Sequence, residues 1–183
     1  MSKQTMMFSF ALASSSGPYD EASILPDDLD IRLTLSRNGV PQPFHLICEH
    51  DSVLVTLSGE GEVEFKGSSV NEFEYGPGDV VYVPAGTPHR IVPSLESIHH
   101  RFKLPESELE GVAFHCDCCG AELHREIFAL ADELPQAGYL RVCTTFMADP
   151  VLRRCAGCGE LHPELSLDAF RWAELAGQER ANA

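Results

Sequence analysis

The chain has 183 residues, with 28 Asp and Glu against 13 Lys and Arg, a formal net charge of −15, seven Cys and eight His. That length suits one domain, or one domain with a small appendage, and 44% apolar with 22% charged residues is a globular composition. The acidic balance disfavours nucleic acid, whose phosphates need basic groups to displace their counterions. No run of about 18 apolar residues exists to span a membrane, and an odd cysteine count excludes complete internal disulfide pairing.

Residues 1–30 are mixed and turn-rich. Lys3 precedes an apolar stretch, Met6 to Ala13, that weakly resembles a secretory signal. With a single basic residue and a short apolar run, it reads better as an N-terminal strand. Met7 to Leu12 is the expected contact of a homodimer. From residue 31 the period becomes two: Ile31, Leu33 and Leu35 alternate with Arg32, Thr34 and Ser36, up to a turn at Asn38-Gly39. Phe44 to Glu49 and Ser52 to Leu57 read as strands. Ser58-Gly59-Glu60-Gly61 is placed as a hairpin, leading into a strand with Glu60, Glu62 and Glu64 on its wet face. Phe73 and Tyr75 lead to a Gly76-Pro77-Gly78 turn. Val80 to Val83 is apolar at every position and is predicted to be buried on both faces. Ile98 to Lys103 makes one more strand, in which one of His99 and His100 faces inward and the other faces water. Short strands at intervals of roughly ten residues predict a mainly all-β fold, a sandwich or jelly-roll barrel over residues 31–110.

Beyond residue 110 the texture changes. Helix is expected near Asp132–Gln136 and over Ser166–Leu175, with Ser166 as N-cap. Residues 111–183 are read as an extension built on cysteines. Cys116-Asp117-Cys118-Cys119-Gly120 and Cys155-Ala156-Gly157-Cys158-Gly159 are two CxxCG turns with 35 residues between them. Two thiolates at i and i+3 grip one metal, and two such turns complete a tetrahedral S4 site. The glycines allow the turn's unusual backbone angles. Zinc is the default ion and iron the alternative. With four protein ligands at Cys116, Cys119, Cys155 and Cys158, the site is closed and structural. Reduced, metal-bound thiols suit the cytoplasm. Cys48 and Cys143 sit in apolar surroundings as small core residues.

A second pattern runs through the strands. Gly78-Asp79-Val80-Val81-Tyr82-Val83-Pro84-Ala85-Gly86-Thr87-Pro88-His89 matches G-x5-P-x-G-x2-H, one of the two motifs of cupin barrels. The other, G-x5-H-x-H-x3–4-E-x6-G, is only partly kept. Gly39 is followed after five residues by His45, and Gly59 closes the motif. Ile47 stands where the second His belongs and Ser52 where the Glu belongs, with His50 and Asp51 beside it. A bulge could turn either inward. His45, His50, Asp51 and His89 are therefore the candidate barrel ligands, a His/carboxylate set suited to Fe(II) and O2.

A cupin barrel followed by two CxxC turns resembles the bacterial 3-hydroxyanthranilate 3,4-dioxygenases, cupins with a rubredoxin-like metal site near the C-terminus. The likeness is strongest over 105–164, through Gly111–Gly120, His124-Arg125 and Arg153–Pro163, and runs through Gly59, Gly78-Asp79, Pro84 and His89 in the barrel. It implies ring opening of a small aromatic, aminophenol- or catechol-like, by O2 at a ferrous ion. His89, His45 and Asp51 would serve as catalytic ligands. The family's two carboxylate-binding arginines fall here on Pro41 and Pro93, and its proton-moving strand Glu on Arg101. Loss of that bidentate grip predicts weak or absent turnover of 3-hydroxyanthranilate, unless Arg90 or Arg101 supplies a replacement. Three functions follow: a cupin oxygenase acting on another aromatic, a cupin isomerase or lyase, or a catalytically silent cupin that binds a small molecule.

Overall fold

The computed structural model describes residues 13–23, 31–104 and 108–182. The proposed dimer strand, Met7 to Leu12, lies outside them. The described chain folds into a nine-stranded sheet and three named helices, besides a helical stretch at residues 13–15. The strands are β1 (Ala22–Ser23), β2 (Arg32–Asn38), β3 (His45–Cys48), β4 (Ser52–Phe65), β5 (Glu72–Tyr75), β6 (Val80–Val83), β7 (His89–Lys103), β8 (Leu109–His115) and β9 (Glu122–Ala129). The helices are α1 (Pro135–Ala148), α2 (Pro150–Arg153) and α3 (Trp172–Asn182). The fold is mainly β, a jelly-roll barrel with short helices, as the alternating pattern predicts.

Strand β7 is the hub, pairing antiparallel with β2, β3 and β4. It is longer than the Ile98–Lys103 segment foreseen, because residues 89–97 pair with the far half of β4. The hairpin expected at Ser58–Gly61 does not form. Strand β4 runs straight through, with register shifts against β7 between Thr56 and Gly61 that bend the ribbon without ending it. Gly59 makes this possible: its φ is 83°, and a Cβ there would lie 2.2 Å from the Glu96 carbonyl oxygen.

Strand β6 also departs from expectation. Val81 and Val83 are buried, but Val80 and Tyr82 are 58% and 57% exposed. Among the described residues the strand pairs only with β4, and it has a wet outer face. Past residue 110 the sheet continues, as β8 pairs with β3 and β9 with β8.

The helices sit elsewhere than proposed. The segment 135–148 carries Tyr139, Val142, Cys143 and Phe146 at helical spacing, all buried, with Pro135 in the first turn. Phe146 stacks on Phe114 at 3.9 Å, and Tyr139 touches Phe44, Phe128 and Trp172. Ser166 caps no helix. Residues 162–171 stay irregular, and α3 begins only at Trp172, whose indole is buried and donates to the Tyr19 carbonyl.

Candidate functional sites in the cysteine turns and the barrel interior

The two CxxCG turns are built alike. The Gly120 N–H donates to the Cys116 carbonyl and the Cys116 N–H to the Ala121 carbonyl; Gly159, Cys155 and Glu160 repeat the pair. Both glycines have positive φ, 73° and 79°. The ligand sulfurs of Cys116, Cys119, Cys155 and Cys158 all lie within 4.8 Å of one another. Cys116 and Cys158 are 3.5 Å apart, as are Cys119 and Cys155. A tetrahedral ion with bonds of about 2.3 Å needs sulfurs roughly 3.8 Å apart, so the set fits a divalent metal. Backbone N–H groups of Cys158 and Gly157 pull the Cys155 thiol down to about 6, and a bound metal would require the other three thiols to give up their protons as well. Cys118 points out to solvent, and Cys48 and Cys143 are buried and free.

The barrel interior holds a polar column. At one end His99 lies against Thr56 and Ser97, with Tyr75 packed edge-on. Burial and then the Arg101 charge push His99 down to about 3, so it is neutral. Its neighbour His100 is only half-buried, as the alternation requires.

In the middle stands Arg101, 1% exposed. Its Nη1 donates to His89 Nε2 at 2.7 Å and lies 3.4 Å from Ser52 Oγ and 4.0 Å from Cys48 Sγ. Arg101 cannot give up its proton, so His89 Nε2 is the acceptor. The His89 proton is on Nδ1, donated to the Thr87 carbonyl at 3.0 Å. Burial and the Arg101 charge hold His89 well below the usual histidine range.

Toward α1, Arg101 Nε faces Glu21 at 3.2 Å and Lys103 bridges Glu21 and Glu110. Tyr139 OH donates to Glu110. Two cations and two anions thus form a buried quartet of zero net charge. Burial alone would push the Glu21 carboxyl up, but Lys103 and Arg101 hold it below its usual value.

Residues 37–94 match the family described as the Cupin domain. That stretch of the barrel carries the cupin domain. Its curated relatives include a 3-hydroxyanthranilate 3,4-dioxygenase from Burkholderia lata, 36% identical over 62 residues, 32% of this chain and 33% of that protein. A protein of the same name from Bacillus thuringiensis is 32% identical over 90 residues, 48% of this chain and 49% of that one. The matched part therefore spans a third to a half of these relatives' length. Among solved structures, hydroquinone 1,2-dioxygenase from Sphingomonas aligns with 13% identity and a TM-score of 0.48, over 52% of this chain and 71% of that one. The curated relatives named here are dioxygenases, matched at low identity over part of their length.

The strand pairings show how the cupin motif lies on this barrel. Leu46 stands opposite His89 across β3 and β7, so these two share a face. His45, one residue away, points to the other face with Glu64 and His115. Counted back from Gly59, Leu46-x-Cys48-x3-Ser52-x6-Gly59 keeps the motif's H-x-H-x3-E-x6-G spacing, with one extra residue after Gly39. Counting forward from Gly39 selected His45 instead. The ligand positions facing the interior are therefore Leu46, Cys48, Ser52 and His89.

This set does not fit a metal ion. Leu46 and Ser52 offer no strong ligand atom, and burial pushes the Cys48 thiol up. The His89 lone pair is taken by Arg101, whose Nη1 contacts three of the four positions. Nor do the candidates chosen from sequence converge. Among the described residues, the four cysteines are the single group of three or more metal-type side chains with ligand atoms within 4.8 Å. His50 is half-buried beside Glu49. The Asp51 carboxylate accepts from the Ala85 backbone N–H at 2.8 Å, which with Tyr82 holds it below its usual range.

Sequence reasoning missed Glu21, Lys103, Glu110 and Tyr139. No motif marks them, although two cations spaced i, i+2 on an otherwise buried strand were a readable sign that carboxylates must come to meet them.

Proposed function

We propose that this protein is a cupin related to the 3-hydroxyanthranilate dioxygenases that has replaced its barrel metal with a guanidinium and works as a small-molecule-binding module, held together by zinc or iron at its four cysteines. The observation that carries this reading is the contact of Arg101 Nη1 with His89, Ser52 and Cys48, three of the positions from which cupin ligands point. A fixed positive charge there repels a cation, and it cannot bind O2 or deliver electrons. The four thiols gathered as a metal clamp support a cytoplasmic setting.

The relatives' name supports a second reading, an Fe(II)- and O2-dependent oxygenase acting on an aminophenol- or catechol-like substrate. Oxygen uptake separates the two. Protein supplied with Fe(II) under anaerobic conditions, then exposed to O2 with 3-hydroxyanthranilate, aminophenols or catechols, is expected to consume no more O2 than iron alone. Turnover that disappears in His89→Ala would overturn the proposal.

A further inference from the structure

On the face of β3 that points away from the barrel interior, His45 meets His115 of β8. Their Nδ1 atoms are 3.3 Å apart and the rings cross at 72°, so the contact is made through the nitrogens rather than by stacking. Both are buried, at 3% and 8% exposure. Each ring turns its other nitrogen toward a carboxylate: His45 Nε2 lies 3.9 Å from Glu64 Oε2, and His115 Nε2 lies 3.8 Å from Glu122 Oε2. Those carboxylates are themselves fixed, Glu64 by Arg90 and Glu122 by Arg125. Among the described residues, His45 Nε2 has no hydrogen-bond partner.

The arrangement leaves one positive centre short. Two neutral imidazoles carry two ring protons. If one proton joins the Nδ1 atoms, one ring is left with a bare Nε2 facing a carboxylate, lone pair against lone pair. The conflict disappears if both protons sit on Nε2, toward Glu64 and Glu122, and both Nδ1 lone pairs bind one cation. Two nitrogens at about 2.0–2.1 Å from a tetrahedral ion are roughly 3.3–3.4 Å apart. A ligating histidine usually donates its second N–H to a carboxylate, and here a carboxylate stands behind each ring at ion-pair distance, 3.9 and 3.8 Å.

We infer that His45 and His115 form a second metal site, outside the barrel interior and distinct from the cysteines, binding a borderline divalent ion such as Cu(II), Ni(II) or Zn(II) through their Nδ1 atoms. His115 also lines a cleft of about 370 Å³ together with Lys66, Thr87, Glu122 and Arg125. Water or a small ligand reaches the open coordination positions from there, and the two basic side chains favour an anionic one.

The test starts from protein whose four cysteines are already filled with zinc, titrated with Cu(II). One further equivalent should bind, and its electron paramagnetic resonance spectrum should show hyperfine coupling to two nitrogens. His45→Gln and His115→Gln should each weaken it by at least 100-fold and leave the cysteine-bound zinc in place. Glu122→Gln should weaken it about 10–100-fold, as expected when the carboxylate behind a ligand is lost. No further equivalent, a spectrum without two-nitrogen coupling, or binding unaffected by both histidine substitutions would overturn the inference. The spectrum of the unaltered protein decides the matter even if a variant fails to fold. Because the site lies on the opposite face from His89, its failure leaves the Arg101 proposal standing.

Discussion

Arg101→Met removes the cation from the middle of the barrel with little change in volume. The quartet then goes from neutral to one net negative charge. Glu21 keeps only Lys103, at 3.7 Å, and His89 Nε2 loses its donor. Breaking a buried ion pair from one side costs about 3–5 kcal/mol. At about 2–4 °C per kcal/mol for a chain of this size, the melting temperature should fall by on the order of 10 °C. The loss also has a pH signature. In the native protein the Glu21 carboxyl is lowered, so its contribution is present above the unfolded carboxyl range and is lost as pH falls through the folded value. Without Arg101 burial dominates and the carboxyl rises above its unfolded value. Its penalty is then felt at neutral pH and is relieved by protonation. The stability gap between native and variant protein should narrow as pH falls from about 7 toward 4. Urea unfolding at several pH values reads this gap. Proton competition at the cysteines affects both proteins alike and cancels in the difference. Adding Glu21→Gln to Arg101→Met should recover more than half of the loss. A cost below about 1 kcal/mol at neutral pH, or a gap that does not change with pH, would refute the charge argument.

Three other outcomes are expected. Cys155→Ser should remove one equivalent of metal from purified protein and lower the melting temperature; unchanged metal content would mean that the four thiols do not share an ion. Phe146→Ala deletes a fully buried ring stacked on Phe114 and should cost about 3–5 kcal/mol by denaturant unfolding, whereas a loss under about 1 kcal/mol would show that α1 adds little to the core. Gly59→Ala should cost at least about 2 kcal/mol, since its Cβ meets backbone of β7 that cannot move aside. Gly78→Ala, with a similar φ of 92° and nothing within 4 Å, should cost only the backbone strain, about 1–2 kcal/mol; equal losses at the two positions would refute the steric distinction.

Much of the cysteine turns was legible without coordinates. Their ligands are close in sequence within each pair, so spacing and the following glycine define a local turn whose geometry barely depends on the rest of the fold. The barrel's strand pattern was legible for the same reason, because alternation is a property of one strand at a time. The ends of elements were not. Whether Ser58–Gly61 turns or runs on depends on β7 lying alongside it, and the start of α3 depends on where Trp172 finds its pocket against Tyr19, Phe44 and Tyr139.

The chemistry of the barrel depended on facts that no single strand holds. A shift of one residue in β3 moves every side chain to the opposite face. It takes His45 out of the barrel and sets Leu46 opposite His89. Arg101 enters the sequence reading only as a possible substitute for the lost carboxylate grip, yet it becomes the buried charge of the barrel because Glu21, 80 positions earlier in the chain, comes to face it. Sequence by itself determined the family resemblance and the thiol clamp, both carried by local spacing. Only the tertiary structure decided which face each histidine takes and what fills the barrel's metal position, since those follow from register and from charges that meet only on folding.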